Sequence, residues 1–334
     1  MHDDSLLYQV SELYFVQGMT MGAVADRFQV SRSTVSRMLA LAKERGIVTV
    51  SLRMPSSPSD LLSRRMHDLF GIRIHVAGTA RTAPAAQRLE AVSRYAAHLV
   101  GEWVTDGSTL GVAWGTTTSQ VASHLQPSTV RDVTVVQLNG AAGPHSTGVG
   151  ASSPVLSTMA RAFNAELYAF PTPAFFDLEQ TRTLLWQESS VRRILAVRSA
   201  ADLAVFSVGA FQGPVLSQVY SEGHLSPATL RSLHENNVVG DMCTVFIRED
   251  GTYADIDLNR RASGPTPSEL ARIPRRLCVA SGRHKVRGIL GALRSGAVTD
   301  LVIDDRTATQ VLAHLETQTP ARPTAAAATT HQLD

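Results

Sequence analysis

Lysine is nearly missing from this 334-residue chain. Of 31 basic side chains only Lys43 and Lys285 are lysines, and the rest are arginines. Any amine chemistry beyond the first fifty residues therefore has one candidate. Cysteine is as scarce. Cys243 and Cys278 have no metal-ligand spacing between them, which argues against a disulfide framework or structural zinc and fits a reducing cytoplasm. The eleven histidines form no HxH or HxxxH pair, so no metal or other cofactor is implied. No apolar run reaches the roughly 18 residues of a membrane helix. The opening MHDDSLLYQV is acidic where a secretory signal would be basic. A net charge of +2 excludes a uniformly basic nucleic-acid binder.

What is present is a core. Hydrophobic residues make up 44% of the chain and charged ones 18%, the balance of a folded protein. The length suits about two domains of roughly 100–200 residues each.

Residues 1–54 read as the first domain. LLYQVSELYFVQG carries apolar residues at helical steps and ends at Gly18. Thr20 caps a short second helix, MGAVADRF, and Ser31 caps a third, RSTVSRMLALAKERG. This is a helix-turn-helix pattern. IVTVSLRM then alternates like the strand of a wing. Residues 31–53 hold five cations against the single acid Glu44, a local footprint for phosphates. The third helix would set its first turn at base edges in the major groove. That makes Arg32, Ser33, Thr34, Ser36 and Arg37 candidate contacts to double-stranded operator DNA, with Arg53 reaching the backbone from the wing. The plainer alternative is a three-helix surface domain with solvated arginines.

MPSSPSD breaks the pattern, and residues 55–60 read as a linker. From 61 to 317 strands and helices alternate, which predicts an α/β domain with a mostly parallel, Rossmann-like sheet. Residues 202–211 read as one strand, and CTVFIREDGTYA as a hairpin around Asp250-Gly251. Residues 318–334 are low in complexity and read as disordered.

Ligands of such sheets bind beyond the carboxyl ends of the strands. Four loops fit. The first is GTTTS, with Gly115, Thr116, Thr117 and Thr118. The second follows Leu138 and contains Asn139, Gly140 and His145. The third, SVGAF, contains Gly209. The fourth is SGRHK, with Arg283, His284 and Lys285. GTTTS can be read as a helix cap or as a cradle for phosphate, since amides at a helix start favour an anion. It is not a Walker loop, lacking GK[ST]. Three basic residues at a helix start oppose the dipole and are easier to explain around an anion, although a solvated basic turn also fits. Lys285 is also the sole candidate in this domain for an imine with an aldehyde sugar. Asp241, in a GDMC loop, suits sugar hydroxyls or a turn cap, and Asp304 and Asp305 read as helix caps. No nucleophile elbow or carboxylate pair appears, so the chain does not read as an enzyme.

The motifs TMGAVADRFQVSRSTVSRMLALAKERGIV, GVAWGTTT, VVQLNG, VGDMC, LNRR with IPR, and SGRHKVRGILGALRSGAVTDLVIDDRTA resemble the SorC family of bacterial transcriptional regulators. The likeness runs from about residue 5 to about residue 315. It implies a winged helix-turn-helix followed by a domain similar to sugar-phosphate isomerases. It also implies a sugar or sugar-phosphate effector and a homotetramer built as a pair of dimers. By that resemblance Gly115 to Thr117 hold phosphate, and Asp241 and Lys285 contact the effector. The family's last loop is commonly GGxxK; here Ser281 replaces the first glycine. A repressor of a carbohydrate operon is the reading carried forward. The rival classes are a sugar-phosphate isomerase or hydrolase bearing a DNA-binding domain, and a DNA-organising protein without effector.

Overall fold

The computed structural model describes residues 3–49, 58–141, 154–213, 217–221 and 225–318. It divides into two compact units, Met1–Pro55 and Ser56–Asp334.

The first unit holds helices α1 (Asp4–Ser11), extended by a π-type stretch Glu12–Val16, α2 (Met21–Phe28) and α3 (Arg32–Glu44). Leu7, Val10, Val24, Val35, Met38 and Ala42 form its buried core. Thr20 and Ser31 cap α2 and α3, each accepting the N–H three residues on. The turn between these helices is tight. Gln29 takes a left-handed conformation (φ 54°), and Val30 N–H returns to the Ala25 carbonyl. Residues 47–49 are not in a strand; the rest of the expected wing, with Arg53, lies outside the described residues.

The second unit is an α/β domain. Its main sheet contains β1 (Arg73–Ala77), β2 (Thr109–Val112), β3 (Thr134–Gln137), β4 (Glu166–Tyr168), β5 (Leu203–Phe206), β9 (Arg275–Ala280) and β10 (Asp300–Asp304). Their order is β1-β10-β9-β5-β2-β3-β4, and every pairing is parallel. Connections run one way from β2 to β4 and the other way from β5 to β10. The sheet therefore reverses between β2 and β5, and such switch points open the crevice where ligands sit. Helices α4 (Pro58–Phe70), α5 (Ala85–Trp103), α6 (Thr116–His124), α7 (Pro154–Ala162), α8 (Glu179–Leu185), α9 (Ser189–Ser199), α10 (Gln218–Ser221), α11 (Pro227–Glu235), α12 (Pro267–Leu270), α13 (Val286–Arg294) and α14 (Asp305–Gln318) complete the unit. Two apolar clusters form its core; Val112, Val135, Val205 and Val279 belong to one, and Ala204, Phe206, Cys278 and Ile303 to the other.

Four expectations need correction. Residues 202–211 are not one strand: the chain leaves the main sheet at Ser207, and β6 (Val208–Gly209) joins a second, antiparallel sheet with β7 (Val238–Met242) and β8 (Val245–Arg248). The hairpin turn is Cys243-Thr244, both left-handed at φ 49° and 71°; Asp250-Gly251 is only a turn after β8, closed by Arg248 N–H to the Thr252 carbonyl. Pro58–Asp60, expected in the linker, form the first turn of α4, where proline is well suited. Of the low-complexity tail, Gln318 belongs to α14 and residues 319–334 lie outside the described residues.

All three tryptophans, Trp103, Trp114 and Trp186, lie in the α/β unit, so their fluorescence reports its unfolding alone. Phe206 is fully buried at the sheet centre. Phe206→Ala should lower this unit's stability by about 3–5 kcal/mol in urea titrations followed by tryptophan emission.

Candidate functional site

The loops beyond β2, β5 and β9 converge at the switch point. Gly115 precedes α6 with φ 148°, a region open to glycine, and no side chain caps the helix. Its first-turn amides are left for another acceptor. The three threonines divide their tasks. Thr116 is exposed. Thr118 is fully buried, its hydroxyl donating back to the Gly115 carbonyl at 3.0 Å, so it caps none of the helix amides. Thr117 is buried and faces a different partner, the Lys285 ammonium.

Lys285 closes a short 3-10 turn, Arg283–Lys285, entered through Gly282 at φ 109°. Its Nζ donates to Thr117 Oγ1 at 3.2 Å and to Ser207 Oγ at 3.1 Å. One ammonium thus ties together the ends of β2, β5 and β9. Burial pulls its pKa down to about 8, against the attraction of the Cys278 and Asp241 side chains. Two hydroxyls satisfy the amine without neutralising its charge. Arg283 is exposed, and the half-buried His284 packs between the backbones of Gly282 and Gly213. Burial, with the neighbouring Lys285 charge, lowers the His284 pKa.

Asp241 lies within β7 rather than on a loop, directly opposite Gly209. A Cβ at Gly209 would stand 1.9 Å from Asp241 Oδ1, so the glycine makes room for the carboxylate. Tyr220 OH donates to Oδ1 at 2.9 Å and Thr244 N–H to Oδ2 at 3.2 Å. Burial raises the Asp241 pKa to about 6, opposed by these hydrogen bonds and by Lys285. The carboxylate thereby also holds the left-handed Cys243-Thr244 turn.

Asn139 is 1% exposed and its Oδ1 has no hydrogen-bond partner. Gly140 is there for close approach. A Cβ would meet the carbonyls of Thr172 and Pro173 at 2.4 Å, while its N–H donates to Ser263 Oγ at 2.9 Å and its carbonyl accepts from the Trp114 indole. Arg198, buried below, donates to the carbonyls of Leu138 and Ser263. His145 lies outside the described residues.

Asp304 does act as a cap, accepting from Thr307 N–H at 2.9 Å. Ser281, where the family pattern has glycine, donates to Asp304 Oδ2 at 2.7 Å. The substitution is absorbed by that internal bond. Sequence reading missed Ser207 and Tyr220. Ser207 was hidden inside a strand read as continuous, and Tyr220 sits in a four-residue helix with little pattern. Among the described residues no group of three or more His, Cys, Asp or Glu side chains could hold a metal.

In the first unit, α3 exposes Arg32, Ser33, Ser36 and Arg37. The Ser33 and Thr34 hydroxyls both lie 2.8 Å from Ser31 Oγ, within the cap. Arg37 Nε donates to the Ser33 carbonyl at 3.4 Å. Arg45 pairs with Asp4, and Lys43 lies 5.3 Å from the Phe15 ring centroid.

A parallel sheet with a cationic switch-point site, in a chain that also contains a separate helical unit, defines an α/β ligand-binding class. Residues 56–313 match the family model described as "Putative sugar-binding domain". Over 304 residues the chain is 31% identical to the deoxyribonucleoside regulator of Bacillus subtilis (strain 168), covering 91% of this chain and 96% of that one. It is 25% identical to the sorbitol operon regulator of Klebsiella pneumoniae, covering 93% of this chain and 98% of that protein. A crystallised domain of "a possible sugar-binding transcriptional regulator" from Arthrobacter aurescens TC1 superposes with a TM-score of 0.71 at 36% identity, covering 78% of this chain and all of that one. The full-length sorbitol operon regulator structure shares the fold over 93% of this chain and 99% of its own, with a TM-score of 0.75. The chain belongs to the SorC family of sugar-binding transcriptional regulators. It is a transcriptional regulator. No helix among the described residues is long and apolar enough to cross a membrane.

Gly209→Ala should displace Asp241 and lower the stability of the α/β unit by about 1–3 kcal/mol, read by tryptophan-monitored denaturation. Unchanged stability would mean that the carboxylate does not occupy this position.

Proposed function

We propose that the chain represses a carbohydrate-catabolism operon and is released from its operator by a phosphorylated sugar. In this reading residues 1–54 form a winged helix-turn-helix, and α3 enters the major groove with Arg32, Ser33, Thr34, Ser36 and Arg37. Residues 61–317 bind the effector and assemble the chain into a tetramer of paired dimers in the cytoplasm. The phosphate sits at the uncapped start of α6, between Gly115, Thr116 and Thr117 and the Lys285 amine. Asn139, Asp241 and His284 meet the sugar, and Arg283 adds positive charge at the rim. Thr118, Gly140 and Gly209 shape the pocket from within the fold.

One observation carries the reading. Lys285 is held by two hydroxyls, Thr117 and Ser207, beside an uncapped helix start. Its nearest acceptors are neutral, so the charge remains available to an anion. The relatives add to this, since one is named for deoxyribonucleosides and another for sorbitol. Effector and operator then compete through one conformational equilibrium, with a coupling of about 1–3 kcal/mol.

A thermal-shift panel of sugars, polyols and their phosphates tests the site. Sugar phosphates should stabilise the protein more than their free sugars, and Lys285→Ala or Thr117→Ala should abolish the difference. Equal stabilisation by free and phosphorylated forms would contradict the phosphate site. Affinity should also follow the charge of Lys285. The amine is protonated below about 8, and a phosphate monoester becomes dianionic above about 6. Binding should peak between these values and weaken as pH rises through about 8, and Lys285→Met should remove the alkaline decline.

A further inference from the structure

Gly22 is an odd second residue for α2, because glycine is among the poorest helix formers. The space beside it explains the choice. A Cβ at Gly22 would lie 2.9 Å from Arg32 Nη2, 3.2 Å from Nε and 3.3 Å from Cζ. The guanidinium of α3's first residue therefore rests on the bare backbone of α2's first turn. Among the described residues no carboxylate pairs with it. The Thr20 hydroxyl serves Ala23 N–H, while the amides of Met21 and Gly22 precede the first intrahelical bond.

We infer that Arg32 and the first turn of α2 form a clamp on one backbone phosphate of the DNA, leaving sequence readout to Arg37, Ser33 and Ser36. This rests on the reading of α3 as the groove helix. In a helix-turn-helix the helix before the recognition helix crosses the DNA backbone. A guanidinium parked on that helix is directed at a phosphate rather than a base edge. Glycine keeps both the arginine and the amides of Met21 and Gly22 within reach of one oxygen group. Phosphate contacts set register and orientation; base contacts set sequence. Arg37 is placed differently. It is exposed one turn further along α3 and rests only on its own helix, through the Ser33 carbonyl. Arg45 and Lys43 are engaged with Asp4 and Phe15, so Arg32 and Arg37 are the two α3 arginines to be sorted between these tasks.

The test uses the full chain and two duplexes, one enriched from a random pool by the wild-type protein and one of the same composition in shuffled order. Binding is followed by fluorescence anisotropy from 50 to 200 mM salt. Arg32→Ala should weaken both duplexes by the same factor, keep their ratio, and reduce the slope of log affinity against log salt by about one. Gly22→Ala should reproduce that loss although it favours the helix, and the double variant should bind no worse than Arg32→Ala. Arg37→Ala should instead narrow the ratio between the duplexes. A narrowed ratio in Arg32→Ala would make Arg32 a base reader and overturn the clamp. Wild-type affinity and salt slope in Gly22→Ala would overturn it as well. If neither arginine variant changes binding to either duplex, the assignment of α3 to the groove fails, and the clamp with it.

Discussion

The Lys285 ammonium gathers three strand ends that are far apart in sequence. Thr117 follows β2, Ser207 follows β5, and Lys285 itself follows β9. These strands are neighbours, with β5 in the middle, and the sheet reverses direction between β2 and β5. An ammonium in such a place is costly to desolvate, and its depressed pKa records that cost. Thr117 and Ser207 offset part of it but cannot cancel the charge. An anion would complete the site, and the contacts it makes would act on all three strand ends together. A sensor needs that property, because a ligand moves an equilibrium only through contacts that differ between states.

The second sheet supplies the opposite charge. The chain leaves the parallel sheet at Ser207 so that Gly209 can pair with Asp241. Tyr220 and the Thr244 amide hold the carboxylate, while burial pushes its pKa up to about 6. The Asp241 carboxylate and the Lys285 ammonium each favour the charged form of the other. A phosphate near Lys285 and hydroxyls near Asp241 would be recognised by groups already oriented by the fold, so little ordering would be left for the moment of binding.

Much of this could be read from the residues, for identifiable reasons. The helices of the first unit show a clear 3.6-residue pattern with Thr20 and Ser31 as caps. The parallel strands are short apolar runs, and the rule that ligands gather at their carboxyl ends pointed to GTTTS and SGRHK. The failures have physical causes too. In LAVFSVGAF the turn-type residues Ser207 and Gly209 stand singly among apolar ones, too weak a signal to mark the change of sheet at Ser207. The Cys243-Thr244 turn uses left-handed residues that are neither glycine nor asparagine, so Asp241 was placed on a loop instead of a strand. Asp250-Gly251 carried the hairpin signal without a second strand to follow it. The helix at Glu179–Leu185 escaped notice because Leu184 points to solvent and it has no buried residue to give it a pattern. The cap reading of GTTTS fails, because no threonine hydroxyl accepts a first-turn N–H of α6: Thr118 donates to the Gly115 carbonyl, and Thr117 faces the lysine.

The scarcity of lysine offers the most direct test of the central claim. With only Lys43 and Lys285 present, the side chains of isotopically labelled lysine give two signals, and Lys43→Arg assigns them. Titrating the Lys285 signal by NMR, with and without ribose 5-phosphate, measures whether this amine is a desolvated anion receptor. The account predicts a free-protein pKa near the depressed value of about 8 that moves upward when the phosphate binds. A Lys285 pKa at the ordinary lysine value of about 10.5, unmoved by the sugar phosphate, would contradict it.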